Sequence, residues 1–184
     1  LTVTGVQTCA LPIWFGTCGS LHADVPVGCF AINNQAFAVR QDYENEEFPF
    51  EVTTKGIPLD EGLMNKIYQT FTTDLPQYKS VIGSGFSADT FYASQGRIDD
   101  NFTTKNSGII PKILEVEPEA LNFEMETFII AFLSHYFPSA QIKAGAVCIT
   151  LAQRTSGDFL DNDRKHAMEI NASAALLKIM SELE

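Results

Sequence analysis

The sequence predicts an α/β fold of three layers, in which a central sheet lies between helices. Apolar segments of strand length alternate along the chain with longer segments of helical periodicity, as in other α/β proteins. The clearest strand is residues 143–152, KAGAVCITLA, a nearly continuous apolar run typical of a strand buried on both faces. The clearest helices are residues 122–137 and 162–183. Because no repeat, low-complexity segment or linker interrupts the 184 residues, we expect one domain.

The composition favours a packed globule and excludes several classes of partner. Hydrophobic residues make up 45% of the chain, with 14 Phe, which is ample for a core. A net charge of −11 argues against nucleic acid and anionic membrane surfaces as partners. The four cysteines show no CxxC spacing, so we expect reduced thiols in a cytoplasmic protein and neither disulfides nor a metal site. They are Cys9, Cys18, Cys29 and Cys148.

Residues 1–13, LTVTGVQTCALPI, resemble translated sequencing-adapter read-through. We expect this segment to be an artefactual leader, excluded from fold reasoning, and the natural domain to occupy residues 14–184. The natural part then begins near Trp14, in mid-domain. The alternative is a genuine apolar strand followed by a turn at Pro12.

In the first half, the segment WFGTCGSL after residue 13 joins an apolar stretch to small residues, which allow the backbone to approach a ligand closely. An ordinary turn explains it equally well. Two strands are predicted at residues 28–33 and 35–39, and an exposed acidic excursion at residues 41–50. Residues 59–71 are predicted to form a surface helix. Its inward positions are Leu63, Ile67 and Phe71. The acidic residues near its start are Asp60 and Glu61.

In the second half, residues 81–88 read as a glycine-rich strand and residues 99–107 as a loop. The helix at residues 122–137 is closed by Pro138. Its apolar positions are Met125, Phe128, Ile129, Phe132, Leu133 and Tyr136. The last helix is predicted to turn four apolar residues inward, namely Ile170, Ala174, Leu177 and Met180.

Gln95 and Arg97 lie two residues apart in TFYASQGR, with Phe91 just upstream. An amide and a guanidinium offer donors and an acceptor in a planar array, which suits a flat ligand with carbonyls beside a ring N–H, such as uracil. An isolated pair of this kind is more often a solvated part of a loop.

Glu124 and Glu126 flank Met125 in the segment NFEMET. Paired carboxylates suit a polyol such as ribose. A pair of residues that binds a base, together with a pair that binds a sugar, indicates a nucleoside as the ligand. Taken alone, the two glutamates also suit the start of a helix dipole, and Met125 also suits a core.

Four motifs in order, GTCG, TFYASQGR, NFEMET and VCITLAQRTSGD, resemble the nucleoside phosphorylase superfamily, specifically uridine phosphorylase of the eukaryotic type. The resemblance runs from about Trp14 to the C-terminus. It implies the three-layer nucleoside phosphorylase fold, incomplete at the N-terminus, and the activity of a pentosyltransferase. Purine-specific relatives are expected to carry an aspartate where this chain has Gln153 and Arg154, which favours a pyrimidine.

The resemblance implies a base pocket in which Phe91 packs against the nucleoside while Gln95 and Arg97 hydrogen-bond the uracil edge. Leu151 and Ala152 would form the walls of this pocket.

The sugar and phosphate roles also follow from the resemblance. Met125 would lie against the ribose, and Glu126, with Glu124 beside it, would accept hydrogen bonds from the 2′ and 3′ hydroxyls. Thr17 would bind phosphate. Arg154 would support Arg97 or its loop.

An alternative for Arg154 is a salt bridge with Asp158 or Asp161.

The implied reaction is phosphorolysis of uridine to uracil and ribose 1-phosphate. Arg97 and Gln95 would stabilise the negative charge on the departing uracil, and Glu126 would orient the ribose for in-line attack. Phosphate is a co-substrate, and no cofactor or covalent nucleophile is required. The three histidines are expected to be surface or packing residues: His22, His135 and His166.

The chain also departs from the family pattern. The resemblance implies a phosphate site with upstream arginines, one of which would stand where this chain has Trp14. We therefore expect the parent protein to be a uridine phosphorylase that assembles as a homo-oligomer built on dimers, and this polypeptide, as written, to be inactive. The alternatives are a purine nucleoside phosphorylase or nucleosidase on the same fold, and a non-catalytic nucleoside-binding subunit.

Overall fold

A computed structural model describes residues 12–98, 100–101 and 105–182 of the chain. Within these residues the backbone forms seven strands that belong to one mixed sheet. The strands are β1 (Ile13–Ser20), β2 (Phe30–Gln41), β3 (Phe50–Val52), β4 (Ile57–Pro58), β5 (Ser80–Ala88), β6 (Asn122–Glu124) and β7 (Gly145–Gln153).

Four α-helices accompany the sheet in the described part of the chain: α1 (Glu61–Asp74), α2 (Ile109–Val116), α3 (Thr127–Tyr136) and α4 (Asn162–Glu182). A short 3-10 turn at Pro138–Ala140 follows α3. None of the described helices has the length and apolarity needed to cross a membrane. Most of the predicted leader, residues 1–11, lies outside the described residues.

The sheet curls until it closes on itself. Its strands run in the order β3-β2-β5-β6-β1-β7, and β7 then pairs again with β2, with Phe30 opposite Ile149 and Ile32 opposite Val147. Five strands thus form a ring. Side chains from different strands of the ring meet in its interior, where Cys18, Ala31 and Cys148 form one buried cluster.

A pair of amides crosses the interior of this ring. Asn33 Nδ2 donates to Asn122 Oδ1 at 2.7 Å, and Asn122 Nδ2 returns a bond to Asn33 Oδ1 at 3.3 Å. The bonds pass over Gly85, where a Cβ would lie 2.3 Å from both amides. The glycine in β5 therefore leaves room for the hydrogen bonds that link β2 to β6.

Helices flank the outer surface of the sheet, as the prediction of an α/β fold requires, and that prediction is confirmed. The largest buried cluster joins β2 and β7 to α1, α3 and α4, and a second cluster joins β2, β5 and β6 to α2. The predicted helix at residues 59–71 is confirmed as α1, whose N-cap Asp60 accepts a hydrogen bond from the Leu63 amide at 2.8 Å. Residues 81–88 and 143–152 form β5 and β7 as predicted.

Two predicted boundaries are wrong. The two strands predicted at residues 28–33 and 35–39 are one strand, β2, whose register against β5 shifts between Asn33 and Gln35. The extra residue is a bulge, which looks like a break in a sequence pattern. The helix predicted at residues 122–137 begins only at Thr127, because residues 122–124 form β6 between β5 and β1.

The inward face predicted for the last helix is also wrong, and on α3 only some of the apolar positions, among them Phe128 and Phe132, pack against the core. On α4 the buried residues are Met168, Ala172, Ala175, Leu176 and Ile179, whereas all four residues predicted to face inward are exposed. On α3 the buried residues are Thr127 and Ala131, while Ile129, Leu133 and Tyr136 are exposed. These helices carry apolar residues on more than one face, so periodicity alone does not identify the face that meets the sheet.

α2 is an element that the sequence analysis does not predict.

Candidate active site

A cavity of about 590 Å³ lies at the ends of β1, β6 and β7, beneath the loop that follows β5. Its volume is typical of a site for a small organic ligand. The structure brings all but one of the predicted site residues to this cavity. Those that line it are Thr17, Phe91, Gln95, Arg97, Glu124, Met125, Glu126, Leu151 and Ala152.

The remaining predicted residue, Arg154, lies behind the cavity and holds Gln95. Its Nη1 donates to Gln95 Oε1 at 3.4 Å, and its Nη2 donates to the Gln95 backbone oxygen in a short contact. The predicted supporting role for Arg154 is thus directed at Gln95. The alternative salt bridges are not formed, since Asp158 accepts from Ser156 and Asp161 from the Arg164 amide.

Arg97 completes a cluster around the same amide. Its Nε donates to Gln95 Oε1 at 3.2 Å, so two guanidinium groups share one carbonyl oxygen. Gln95 is only 3% exposed, and its amide nitrogen is the end that can donate to a ligand carbonyl. The two guanidinium groups and the amide thus form a rigid cluster that is rich in hydrogen-bond donors.

The positive charge in this cluster is partly desolvated. Burial lowers the pKa of Arg97, and burial together with the neighbouring Arg97 charge lowers the pKa of Arg154 to about 10. With a pKa of about 10, Arg154 stays protonated at neutral pH. The Arg97 guanidinium also lies 4.1 Å from the centre of the Phe91 ring, a cation–π contact that fixes its direction.

Backbone space helps to position Arg154. A Cβ at Gly19 would lie 2.7 Å from Arg154 Cδ, so the arginine can cross β1 only because that residue is glycine. A bulge in β7 accompanies this crossing. Cys18 pairs with Thr150 and Gly19 with Ala152, which leaves Leu151 as the extra residue of β7, at the wall of the cavity.

Glu124 organises the turn between β6 and α3. Its carboxylate accepts hydrogen bonds from the Glu126 amide at 2.7 Å and the Thr127 amide at 2.9 Å, and a short one from the Ser87 hydroxyl. Ser87 in turn accepts from the Phe128 amide at 2.9 Å. Burial raises the pKa of Glu124 to about 7.

Glu126 presents a more accessible carboxylate than Glu124. It is half-buried, lines the cavity beside Met125, and accepts from the Met125 amide at 3.2 Å. Glu124 is 4% exposed and engaged with the backbone. Of the two carboxylates, Glu126 is therefore the one that can turn to sugar hydroxyls.

Thr17 lies in β1 beside Gly16, and both residues line the cavity. Trp14 covers this glycine, since a Cβ at Gly16 would lie 2.8 Å from the indole ring. The indole Nε1 is buried and has no hydrogen-bond partner among the described residues. An aromatic ring thus stands where the resemblance implies an arginine.

Sequence reasoning missed several residues that line the cavity. They are Phe123, Phe159, Lys165 and Glu169. The other lining residues, Trp14, Gly16, Cys18 and Gly19, belong to the segment WFGTCGSL, for which a close approach to a ligand is one of the two predicted alternatives. Lys165 and Glu169 are spaced like an ordinary solvated helix pair, and nothing in the sequence distinguishes them from one. Within the described residues, none of the three histidines lines this cavity: His135 and His166 are exposed, and His22 is half-buried.

The closed mixed sheet with flanking helices thus brings one guanidinium group, that of Arg97, and the carboxylates of Glu124 and Glu126 to a single cavity. The chain belongs to the phosphorylase superfamily, whose family model matches residues 9–183. A search of curated proteins returned no significant match.

Solved structures support the same fold. One of two diverse uridine phosphorylases of the oomycete Phytophthora capsici superposes with a TM-score of 0.82 at 25% identity, over 91% of this chain and 64% of that one. A Trypanosoma brucei nucleoside phosphorylase that shows uridine phosphorylase activity gives 0.70 at 19% identity, over 93% and 63%. A putative methylthioadenosine nucleosidase of Weissella paramesenteroides gives 0.64 at 20%, over 91% and 67%. The chain thus spans less than two thirds of the first two proteins.

Proposed function

We propose that the protein to which this chain belongs catalyses phosphorolysis of uridine to uracil and ribose 1-phosphate. One observation carries the proposal: Gln95 and Arg97, with Arg154 bonded behind them, line the same cavity as Glu126. The cluster suits a base with carbonyl oxygens, and the carboxylate suits the ribose hydroxyls. The similarity to the Phytophthora capsici protein points the same way.

In this reaction a phosphate oxygen forms a bond to C1′ as the C1′–N1 bond breaks. The electron pair of the broken bond goes to uracil, which becomes an anion delocalised over its carbonyl oxygens and is then protonated. Arg97 and the Gln95 amide would stabilise that anion without covalent chemistry. One such donor is typically worth about 3 kcal/mol of transition-state stabilisation.

Glu126 would position the ribose, and Thr17 would position the phosphate. Glu126 would accept from the 2′ and 3′ hydroxyls and fix the ribose, with Met125 against its ring, so that attack is in line. Thr17 would contact the phosphate co-substrate. No cofactor enters this scheme. Assembly into a homo-oligomer and a cytoplasmic location stay predictions.

The test measures uracil release from uridine, with and without phosphate, and inosine as the competing substrate. We expect phosphate-dependent release by a polypeptide that spans the full length of the structural neighbours, and little turnover by this chain. For this chain alone, calorimetry should show binding of uracil but not of hypoxanthine. Arg97→Met should abolish that binding, whereas Arg40→Met, at an exposed pair with Glu51, should not.

Equal binding of hypoxanthine and uracil would contradict the pyrimidine assignment. Robust turnover by this chain would contradict its expected inactivity.

A nucleosidase is the second candidate, because Trp14 occupies the position where a phosphate-binding arginine is expected and the Weissella neighbour is a putative nucleosidase. Uracil release that does not depend on phosphate would support it.

A further inference from the structure

Lys165 and Glu169 bring a second pair of charges to the cavity. They lie in the first turns of α4 and form an ion pair in which Lys165 Nζ is 3.1 Å from Glu169 Oε1. Their side chains are 32% and 36% exposed. The proposed handling of base and sugar uses neither residue. Lys165 and Arg97 are the only described cations that line the cavity, and Arg97 is engaged at the base loop.

The sheet places Thr17 on the side that α4 covers. Thr17 pairs with Ile149 in the parallel ladder of β1 and β7, and residues paired in this way direct their side chains to the same face. Ile149 belongs to the core cluster that contains Met168 of α4. Met168 follows Lys165 by three positions and therefore lies on the same side of the helix. Thr17 of β1 and Lys165 of α4 both line the cavity.

We propose that Lys165 is the cation that binds the phosphate co-substrate beside Thr17, exchanging the Glu169 carboxylate for phosphate oxygens. The inference rests on the proposed function and adds a residue to it. A lysine ammonium carries three donors, and a phosphate with up to two negative charges competes well with a single carboxylate for them. Lys165 would thereby supply the positive charge that the resemblance implies for an arginine at position 14, and Glu169 holds the lysine in place until phosphate binds.

The chain contains a single tryptophan, and that residue, Trp14, lines the cavity, so its fluorescence reports on occupancy. Titration with inorganic phosphate should give a saturable change in the wild-type chain. Lys165→Met should weaken the apparent affinity at least tenfold, and Glu169→Gln should tighten it severalfold, because the competing carboxylate is gone. Lys165→Arg should retain most of the affinity.

The matched control is Lys178→Met, which removes another lysine of α4 whose partner is Asp74, outside the cavity. It should leave phosphate affinity unchanged. A parallel calorimetric titration with uracil should give the same affinity in every variant, which also shows that each variant is folded.

Unchanged phosphate affinity in Lys165→Met, or no saturable phosphate response in the wild type, would overturn the inference. Failure of uracil to bind the wild type would instead overturn the proposed function, so the two failures are distinguishable.

Discussion

At the scale of single residues, recognition of the base depends on a guanidinium that does not itself line the cavity. Arg154 holds both the side chain and the backbone of Gln95, and it can do so only because Gly19 leaves room for it. Gln95 is therefore presented to a ligand in one orientation. A lysine at position 154 lacks the planar fork with which the guanidinium reaches both oxygens from two nitrogens, so it would hold Gln95 less firmly.

We expect Arg154→Lys to weaken uracil binding by roughly 10- to 100-fold, which is the usual effect of losing a hydrogen bond from a charged group. Gly19→Ala should weaken uracil binding by a similar factor, because the added Cβ would displace the Arg154 side chain that holds Gln95. Calorimetric titration with uracil measures both. Full affinity in Gly19→Ala would contradict the positioning role.

Glu124 gives the stability of the protein a dependence on pH. Its ordinary pKa of 4.5 rises to about 7 in the folded chain, chiefly through burial, so the native state favours the protonated form. Stability from this group is present below about pH 4.5 and is lost as pH rises through 7. At about 1.4 kcal/mol per pH unit, the change amounts to roughly 3 kcal/mol.

Glu124→Gln should remove that dependence, because the amide imitates the protonated acid. Urea unfolding at several values between pH 4.5 and 8 should show the free energy of unfolding of the wild type falling relative to the variant. Other titrating groups are common to both proteins and cancel. Parallel pH profiles would show that Glu124 is ionised throughout.

At the scale of elements, Gly85 of β5 leaves room for the hydrogen bonds between Asn33 of β2 and Asn122 of β6, because it has no side chain. Gly85→Ala should place a methyl group 2.3 Å from the amides of Asn33 and Asn122 and break their hydrogen bonds. We expect a loss of about 2–4 kcal/mol in the free energy of unfolding, from overpacking and from two unsatisfied amides. Gly62→Ala is the control, since its Cβ would lie at an ordinary 3.4 Å from Asp60 in an exposed helix turn. A loss in Gly85→Ala no larger than in the control would refute the packing argument.

The elements also show which features a sequence can predict. α1 was predictable because Leu63, Ile67 and Phe71 form one narrow stripe after an aspartate cap. β6 was not, since three residues are too few to show a period and its strand geometry comes from pairing with β5 and β1. Apolar residues such as Leu177 indicate a face that favours burial, but they do not specify the element that covers it.

Some residues of the candidate site can likewise be predicted from the sequence, and others cannot. Gln95, Arg97 and Glu126 stand in short contiguous motifs whose chemistry is visible without a fold. Lys165 and Trp14 reach the cavity only through the packing of α4 and the curl of β1, which no local pattern encodes.

At the scale of the whole molecule, the chemical reactivity of three buried thiols depends on whether the ring of strands is closed. Cys18, Cys29 and Cys148 are free and buried. Burial raises the pKa of Cys29, and a hydrogen bond with Cys18 together with burial raises that of Cys148 well above its ordinary value. Few thiolates are therefore available to react in the native protein.

In a Cys9→Ser background, a disulfide reagent at pH 8 should modify these three thiols at least 100-fold more slowly in the native chain than in urea. Absorbance of the released thiolate measures the rate. Rapid modification of all three without denaturant would show that the ring opens readily in solution.

The closed ring also determines when the protein can fold. The Cys29 amide donates to Thr150 Oγ1 at 2.8 Å across 121 positions of the chain, and β1 lies alongside the same late strand. During synthesis, β1 and β2 therefore leave the ribosome with hydrogen-bonding edges that stay unpaired until β7 follows. Such distant pairing makes folding slow and exposes those edges to aggregation. The ligand cavity is therefore complete only after β7 has been synthesised and has paired with β1 and β2.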